Sequence, residues 1–323
     1  MSKYAQYSFL LLLLGVGAFF YYENRVTTAD KEPVSQKEPC TSHCQLLRAG
    51  EIEVIVGDGS RARHHPGIWM MTNIHRPFNI FHNRSAAMLG GGLRGRSPVL
   101  EKIDENSCAL VKPATRDDPS EIRAVFRVSP PYYLDYEHTI RDTENRIPKD
   151  MNYRSVAWCN YTNSPEDQRI HFLSNGEWLR HTPEFHGGPG STIAPSYVAD
   201  SLLEVWPETD DPGFWWYKRL DRRFDEPFYY GRFGESVVIW VYDTPRRLRF
   251  HLSPEGGGRS LIPGKTSTAW DFEYIIPEKE YQVGREYTFR VRMIYKKYVD
   301  DEDVLREVRK AQEELGFEKV QKK

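Results

Sequence analysis

From about residue 50 onward, apolar and polar positions alternate along the chain. Glu51–Val56 reads EIEVIV, and Glu121–Val128 (EIRAVFRV) sets Ile122, Ala124, Phe126 and Val128 on one side. Tyr132–Ile140 places Leu134, Tyr136, His138 and Ile140 together, with Tyr133, Asp135 and Glu137 opposite. The pattern continues through 156–161, 170–173, 202–206, 237–242 and 248–252. It ends with Trp270, Phe272, Tyr274 and Ile276, then Tyr287, Phe289, Val291, Met293 and Tyr295. A period of two is that of half-buried strands, and Gly, Pro, Asn and Asp punctuate the gaps. The pattern predicts an all-β domain over 50–299, a large antiparallel β-sandwich of about ten strands. From Asp300 to Leu315 the period changes: Val304, Leu305, Val308, Ala311 and Leu315 form one stripe behind acidic residues, so residues 300–323 are read as a C-terminal α-helix and tail. No P-loop or internal repeat interrupts this picture.

The N-terminus differs. Residues 8–20, SFLLLLLGVGAFF, follow Lys3 and precede polar sequence, as in an export signal. Residues 1–22 are therefore expected to be a signal peptide or signal anchor. Tyr4, Tyr7, Tyr21 and Tyr22 flank the apolar run, so the anchored form holds the membrane through residues 4–22. Residues 23–49 read as a polar linker. The expected location is periplasmic, extracellular or membrane-anchored. In such a compartment a disulfide from Cys40 or Cys44 to Cys108 is expected, with Cys159 a buried free thiol.

Composition narrows the function. With 44 Lys+Arg against 46 Asp+Glu in 323 residues, the chain has no basic excess, and nucleic acid is not expected as a partner. Aromatic residues reach 13%, which suits pleated surfaces and ligand stacking alike.

Three stretches carry candidate chemistry. The first, Arg61–Gly95, holds His64, His65, His75 and His82 in what reads as a long Gly-rich loop. Its spacings match no zinc framework, and no metal or cofactor is expected. The second, Trp158–Gly188, ends in Trp178, His181, Glu184 and His186. A His–carboxylate set in a loop just past a strand can move protons near neutral pH, so His181, His186 and Glu184 are the catalytic candidates. The third, Arg222–Trp270, sets Arg249 and His251 on the polar side of one strand and Asp271 and Glu273 on the polar side of another. Arg232, Tyr230, Arg249, His251, Trp178, Trp270 and Glu273 are the candidate sugar-binding residues. Arginine grips carboxylates or vicinal hydroxyls with two N–H groups, and indole and phenol rings stack on pyranose faces. Two glycosylation sequons begin at Asn83 and Asn160.

The blocks PYYLDYEHTI, NYTNSPEDQRIHFL, DEPFYYGRFGESVVIWVYD and SPEGGG followed by AWDFEYIIP resemble an uncharacterised family of exported bacterial proteins. In architecture the alternating strands are similar to the galactose-mutarotase-like β-supersandwich of aldose epimerases and several polysaccharide-processing enzymes. That likeness implies a histidine acid and a glutamate base across a concave sheet, here His181 or His251 with Glu273 or Glu184. The sequence thus points to an exported carbohydrate-active protein that holds a sugar or polysaccharide on a concave sheet face, with cofactor-free acid–base chemistry of epimerase, lyase or hydrolase type. The alternative is a non-catalytic sugar-binding or envelope-interaction module.

Overall fold

The computed structural model describes residues 42–60, 65–81, 87–149, 151–196, 219–244, 247–256, 260, 262 and 264–317. In chain order the first strands are β1 (Cys44–Ala49), β2 (Ile52–Asp58), β3 (Pro66–Asn73), β4 (Leu89–Gly90), β5 (Val99–Lys102) and β6 (Ser107–Lys112). There follow β7 (Ser120–Ser129), β8 (Tyr133–Asp142), β9 (Tyr153–Cys159), β10 (Tyr161–Thr162), β11 (Ile170–Ser174) and β12 (Glu177–His181). The last are β13 (Thr192–Ile193), β14 (Phe228–Phe233), β15 (Ser236–Tyr242), β16 (Leu248–Ser253), β17 (Thr268–Pro277) and β18 (Glu286–Lys297), before helix α1 (Asp301–Glu314).

These strands make three antiparallel sheets. The nine-stranded sheet runs β12-β11-β14-β15-β18-β8-β7-β6-β5. The six-stranded sheet runs β13-β16-β17-β9-β4, with β10 also paired to β17, and β1-β2-β3 form the third. The fold is the all-β sandwich with a C-terminal helix that the alternation predicts.

The apolar parity of each strand explains how the sheets stack. Ile122, Ala124, Phe126 and Val128 of β7 and Leu134, Tyr136 and Ile140 of β8 all turn into one core. Phe289, Val291, Met293 and Tyr295 of β18 join them, as do Trp270, Phe272, Tyr274 and Ile276 of β17 from the other sheet. Aromatic pairs tie the core together: Tyr274 stacks on Phe289 across the layers with ring centroids 4.5 Å apart, and Trp158 stacks on Phe272 within the six-stranded sheet at 4.9 Å. Gly231 of β14 lets the Trp270 indole lie on the backbone, because a Cβ there would sit 2.1 Å from the ring. His138 is buried among these rings, where its Nδ1 meets the Tyr136 hydroxyl at 2.9 Å.

The opposite face of the nine-stranded sheet is covered by α1. Val304, Val308 and Ala311 pack on Phe228, Tyr230, Val237, Ile239, Val241 and Ile294. Asp300 caps the helix by accepting the Asp303 N–H at 2.7 Å. Lys296 of β18 fixes it laterally through Asp303 at 2.8 Å and Glu307 at 3.2 Å.

Some expectations change. β1 lies inside the stretch read as linker, since Leu47 and Ala49 alternate into the core. The stretch read as a Gly-rich loop contains β3 and β4, with Ile68 and Met71 fully buried. Cys44 and Cys108 are both buried free thiols: Cys44 packs with Trp69 and Cys159, while Cys108 lies in the sandwich core. Cys159 is free and buried as expected. Cys40, His64, His82, Asn83 and the export segment lie outside the described residues. Among the described residues no helix is long and apolar enough to cross a membrane.

Candidate functional site

The polar parity of three neighbouring strands builds one surface. On β16, Leu248, Phe250 and Leu252 enter the core, which turns Arg249, His251 and Ser253 outward. On β17 the outward set is Ala269, Asp271, Glu273 and Ile275; on β9 it is Ser155, Ala157 and Cys159. Strand register fixes the neighbours. Arg249 lies opposite Glu273 and His251 opposite Asp271. Ala157 faces Glu273 from β9, and Thr192 of β13 faces His251.

The centre of this face is a connected polar group. Glu273 Oε2 lies 2.9 Å from His251 Nε2 and 3.5 Å from Arg249 Nε. A carboxylate only accepts, so His251 donates from Nε2, and its Nδ1 lies 3.0 Å from the Thr192 hydroxyl. Ser155 donates to the second Glu273 oxygen. The Arg249 guanidinium sits 5.3 Å from the centre of the Tyr153 ring. Asp271 accepts the Asn160 backbone N–H at 2.7 Å. Arg249 is 0% exposed, His251 2%, and Asp271 and Glu273 6% each. Solvent reaches the face beside them, at exposed Ala157 and at Arg94, whose Nη1 lies 4.0 Å from Cys159 Sγ.

Burial acts on both carboxyls, and their neighbours decide the outcome. For Glu273 burial favours the neutral acid, but the Arg249 charge and the hydrogen bonds from His251 and Ser155 outweigh it and hold the group down at about 2. For Asp271 burial wins. The Asn160 N–H, a hydrogen bond from Cys159 and the charge of Arg94 oppose it, yet the carboxyl is pushed up to about 7. Two acids two residues apart on β17, facing the same way, are thus driven in opposite directions.

The structure brings together only part of the expected set. Arg249, His251 and Glu273 share this face. His186 reaches it from the preceding loop, with Nδ1 2.8 Å from Ser253 Oγ, and Glu184 is exposed in the same loop. His181 ends β12 on the nine-stranded sheet, and its Nε2 donates to the Gly190 carbonyl at 2.8 Å. Burial lowers its pKa, against that hydrogen bond. Gly190 has φ +78°, and its bare Cα admits the imidazole. Trp178, Tyr230 and Arg232 lie on the outer face of the nine-stranded sheet, on the other side of the core. Trp270 is inside the core, its indole N–H donating to the Gln168 carbonyl at 2.9 Å, so it meets Phe233 and Trp240 edge-on rather than stacking on a ligand.

Asp271, Ser155 and Thr192 were not among the expected site residues. Asp271 shares its parity with Glu273, a signal the sequence does carry. Ser155 and Thr192 enter through strand pairing and have no local signal. Among the described residues no group of His, Cys, Asp and Glu is arranged to hold a metal ion. Asn160, the start of a sequon, is 0% exposed, and its side chain binds Met88 N and the Trp270 carbonyl, so glycosylation there is incompatible with the folded state.

No family model matches the chain, and no curated protein matches it. Solved structures similar to it include the GalM/aldose epimerase homologue from C. elegans, at 9% identity and TM-score 0.46 over 80% of this chain and 100% of that one. A heparan sulfate lyase HepC mutant from Pedobacter heparinus is similar at 7% identity and TM-score 0.47, over 92% of this chain and 42% of that one. Heparinase III, the BT4657 gene product, gives 9% identity and TM-score 0.47 over 91% and 42%. The chain spans less than half the length of these lyases. The likeness is one of architecture and gives no residue a role.

Proposed function

We propose that the outer face of the six-stranded sheet binds a carbohydrate and exchanges a proton with it, without a cofactor. The observation that carries this reading is the opposed pair on β17: Glu273 held ionised at about 2 and Asp271 raised to about 7. Environments that drive two neighbouring carboxyls apart are how acid and base roles are divided at one pH. Asp271 is the proton-exchanging group, because near neutral pH it holds and releases a proton with equal ease. Glu273 keeps its charge throughout, orients His251 through Nε2 and balances Arg249. Arg94, His186, Ser155 and Tyr161 lie along the same face and supply donors for hydroxyl or carboxylate groups.

The apolar run at residues 8–20 exports the chain on this reading, which cell fractionation tests. The activity is tested by screening a glycan panel and analysing the products. An epimerised, unsaturated or cleaved product that disappears in Asp271→Asn supports the reading. Wild-type turnover in Asp271→Asn removes Asp271 from the chemistry. A glycan bound and recovered unchanged leaves binding alone as the function of this face.

A further inference from the structure

The outer face of the nine-stranded sheet is not wholly covered by α1. Beside the helix, β12, β11 and β14 carry Trp178, Arg180, His171, Tyr230 and Arg232 on one side; His171 and Tyr230 are buried, and Trp178, Arg180 and Arg232 reach solvent. Register sets Arg180 and Tyr230 on either flank of His171. The rings form a tight row: His171 and Tyr230 have centroids 4.3 Å apart, and Trp178 meets Tyr230 edge-on at 5.4 Å. Arg232 lies flat over the Tyr298 ring at 3.5 Å.

The charges on this shelf are unevenly satisfied. Its acids are occupied: Asp167 is gripped by Arg169 through two hydrogen bonds at 2.7 and 2.9 Å, and Asp301 accepts from the Tyr230 and Tyr298 hydroxyls. Its bases are not. Arg180 is exposed and has no carboxylate partner among the described residues. Arg232 donates only to the Gly234 carbonyl, and its buried Nε has no acceptor. His171 is 7% exposed; its Nε2 makes no hydrogen bond and lies 3.8 Å from Asp167 Oδ2. A half-buried indole at one end of a row of rings, with Arg180 and Arg232 further along it and without carboxylates, on a face the fold has otherwise closed with a helix, is a surface with a missing anion.

We propose that this shelf is a second ligand surface, separate from the six-stranded face, and that it takes an acidic saccharide. Trp178 stacks on the apolar face of a pyranose, and Arg180 and Arg232 hold its carboxylate or sulfate groups. A neutral sugar leaves both guanidinium groups unmatched, so the charge is the selective element.

Isothermal titration with hexagalacturonate, a chondroitin sulfate hexasaccharide and neutral cellohexaose tests this. The acidic hexasaccharides bind, more weakly at high salt, and cellohexaose does not. Arg180→Gln, at an exposed position that leaves the fold intact, weakens acidic binding by about tenfold, as the loss of one charge-assisted contact does. Trp178→Ala weakens it further. The same titrations in Asp271→Asn separate the two faces: unchanged affinity keeps the ligand on the shelf, and lost affinity places it on the six-stranded face and overturns the proposal. Equal binding of acidic and neutral probes, unchanged affinity in Arg180→Gln, or no binding of any acidic probe also overturns it.

Discussion

Asp271→Asn should stabilise the protein in proportion to pH while removing its proton exchange. The Asp271 carboxyl rises from 3.8 to about 7 on folding, so the folded state holds its proton more tightly than the unfolded chain does. Its contribution is therefore greatest below pH 3.8, falls as pH rises towards 7, and is level above that. A shift of roughly three units corresponds to about 4 kcal/mol at most. Asparagine has the same shape, can still accept the Asn160 N–H through its carbonyl oxygen, and never ionises. The variant should match the wild type near pH 4 and exceed it by up to about 4 kcal/mol at pH 8. At roughly 2 °C per kcal/mol for a domain of this size, that is a rise in Tm of about 8 °C. Urea unfolding of both proteins from pH 4 to pH 8 measures it. Other buried acids, such as Asp243, raised by burial to about 6, cancel in the difference. A gap that is the same at both ends of the range would show that Asp271 is already ionised at acid pH, and the division of roles on β17 would fall with it.

Three further outcomes follow from the same structure. Burial lowers His138 from 6.5 to about 3, so stability is intact above pH 6.5 and is lost as pH falls towards 3, by roughly 5 kcal/mol; His138→Gln should flatten that slope in urea midpoints taken across the range. Glu273→Gln removes the charge facing Arg249 and His251 and should cost about 3 kcal/mol, read as a lower Tm, while Glu273→Asp keeps the charge and recovers part of it. Gly231→Ala drives a methyl into the Trp270 indole and should cost about 2 kcal/mol with a shift in tryptophan fluorescence; an unchanged spectrum and Tm would mean the indole is not against β14.

Much of this molecule is legible in its sequence because strand parity is local. Ile122, Ala124, Phe126 and Val128 announce β7, and the same logic turns Arg249 and Glu273 away from Phe250 and Phe272. Parity names a side of a strand, however, and not a sheet. Trp178, Tyr230 and Arg232 have the composition of a binding surface and were grouped with Arg249 and His251, yet β11, β12 and β14 pair into the other sheet. The loop histidines mislead for a related reason. His181 and Glu184 are close in sequence, but β12 carries His181 to the nine-stranded sheet, where the Gly190 carbonyl takes its Nε2 proton. Pro66 and Gly67 at the head of β3 disguised that strand as loop, although Ile68 and Met71 behind them are fully buried.

What separates the six-stranded face from an ordinary solvated surface is the chemistry of its burial. β16 and β17 are buried on both sides along their whole length, yet only one side is apolar. A sheet covered twice for stability alone is better served by hydrocarbon on both faces, since taking ions out of water costs several kcal/mol each and well-packed apolar residues commonly do as well or better. Here the second face carries Arg249, His251, Asp271 and Glu273, all nearly withdrawn from solvent. Glu273 and Arg249 offset one another. Asp271 does not share in that balance: its carboxyl stays unfavourably placed above neutral pH, with only the Asn160 N–H, a hydrogen bond from Cys159 and the charge of Arg94 to oppose its burial. A destabilising acid kept beside an otherwise balanced network is the arrangement expected where reactivity, not stability, determines the residue.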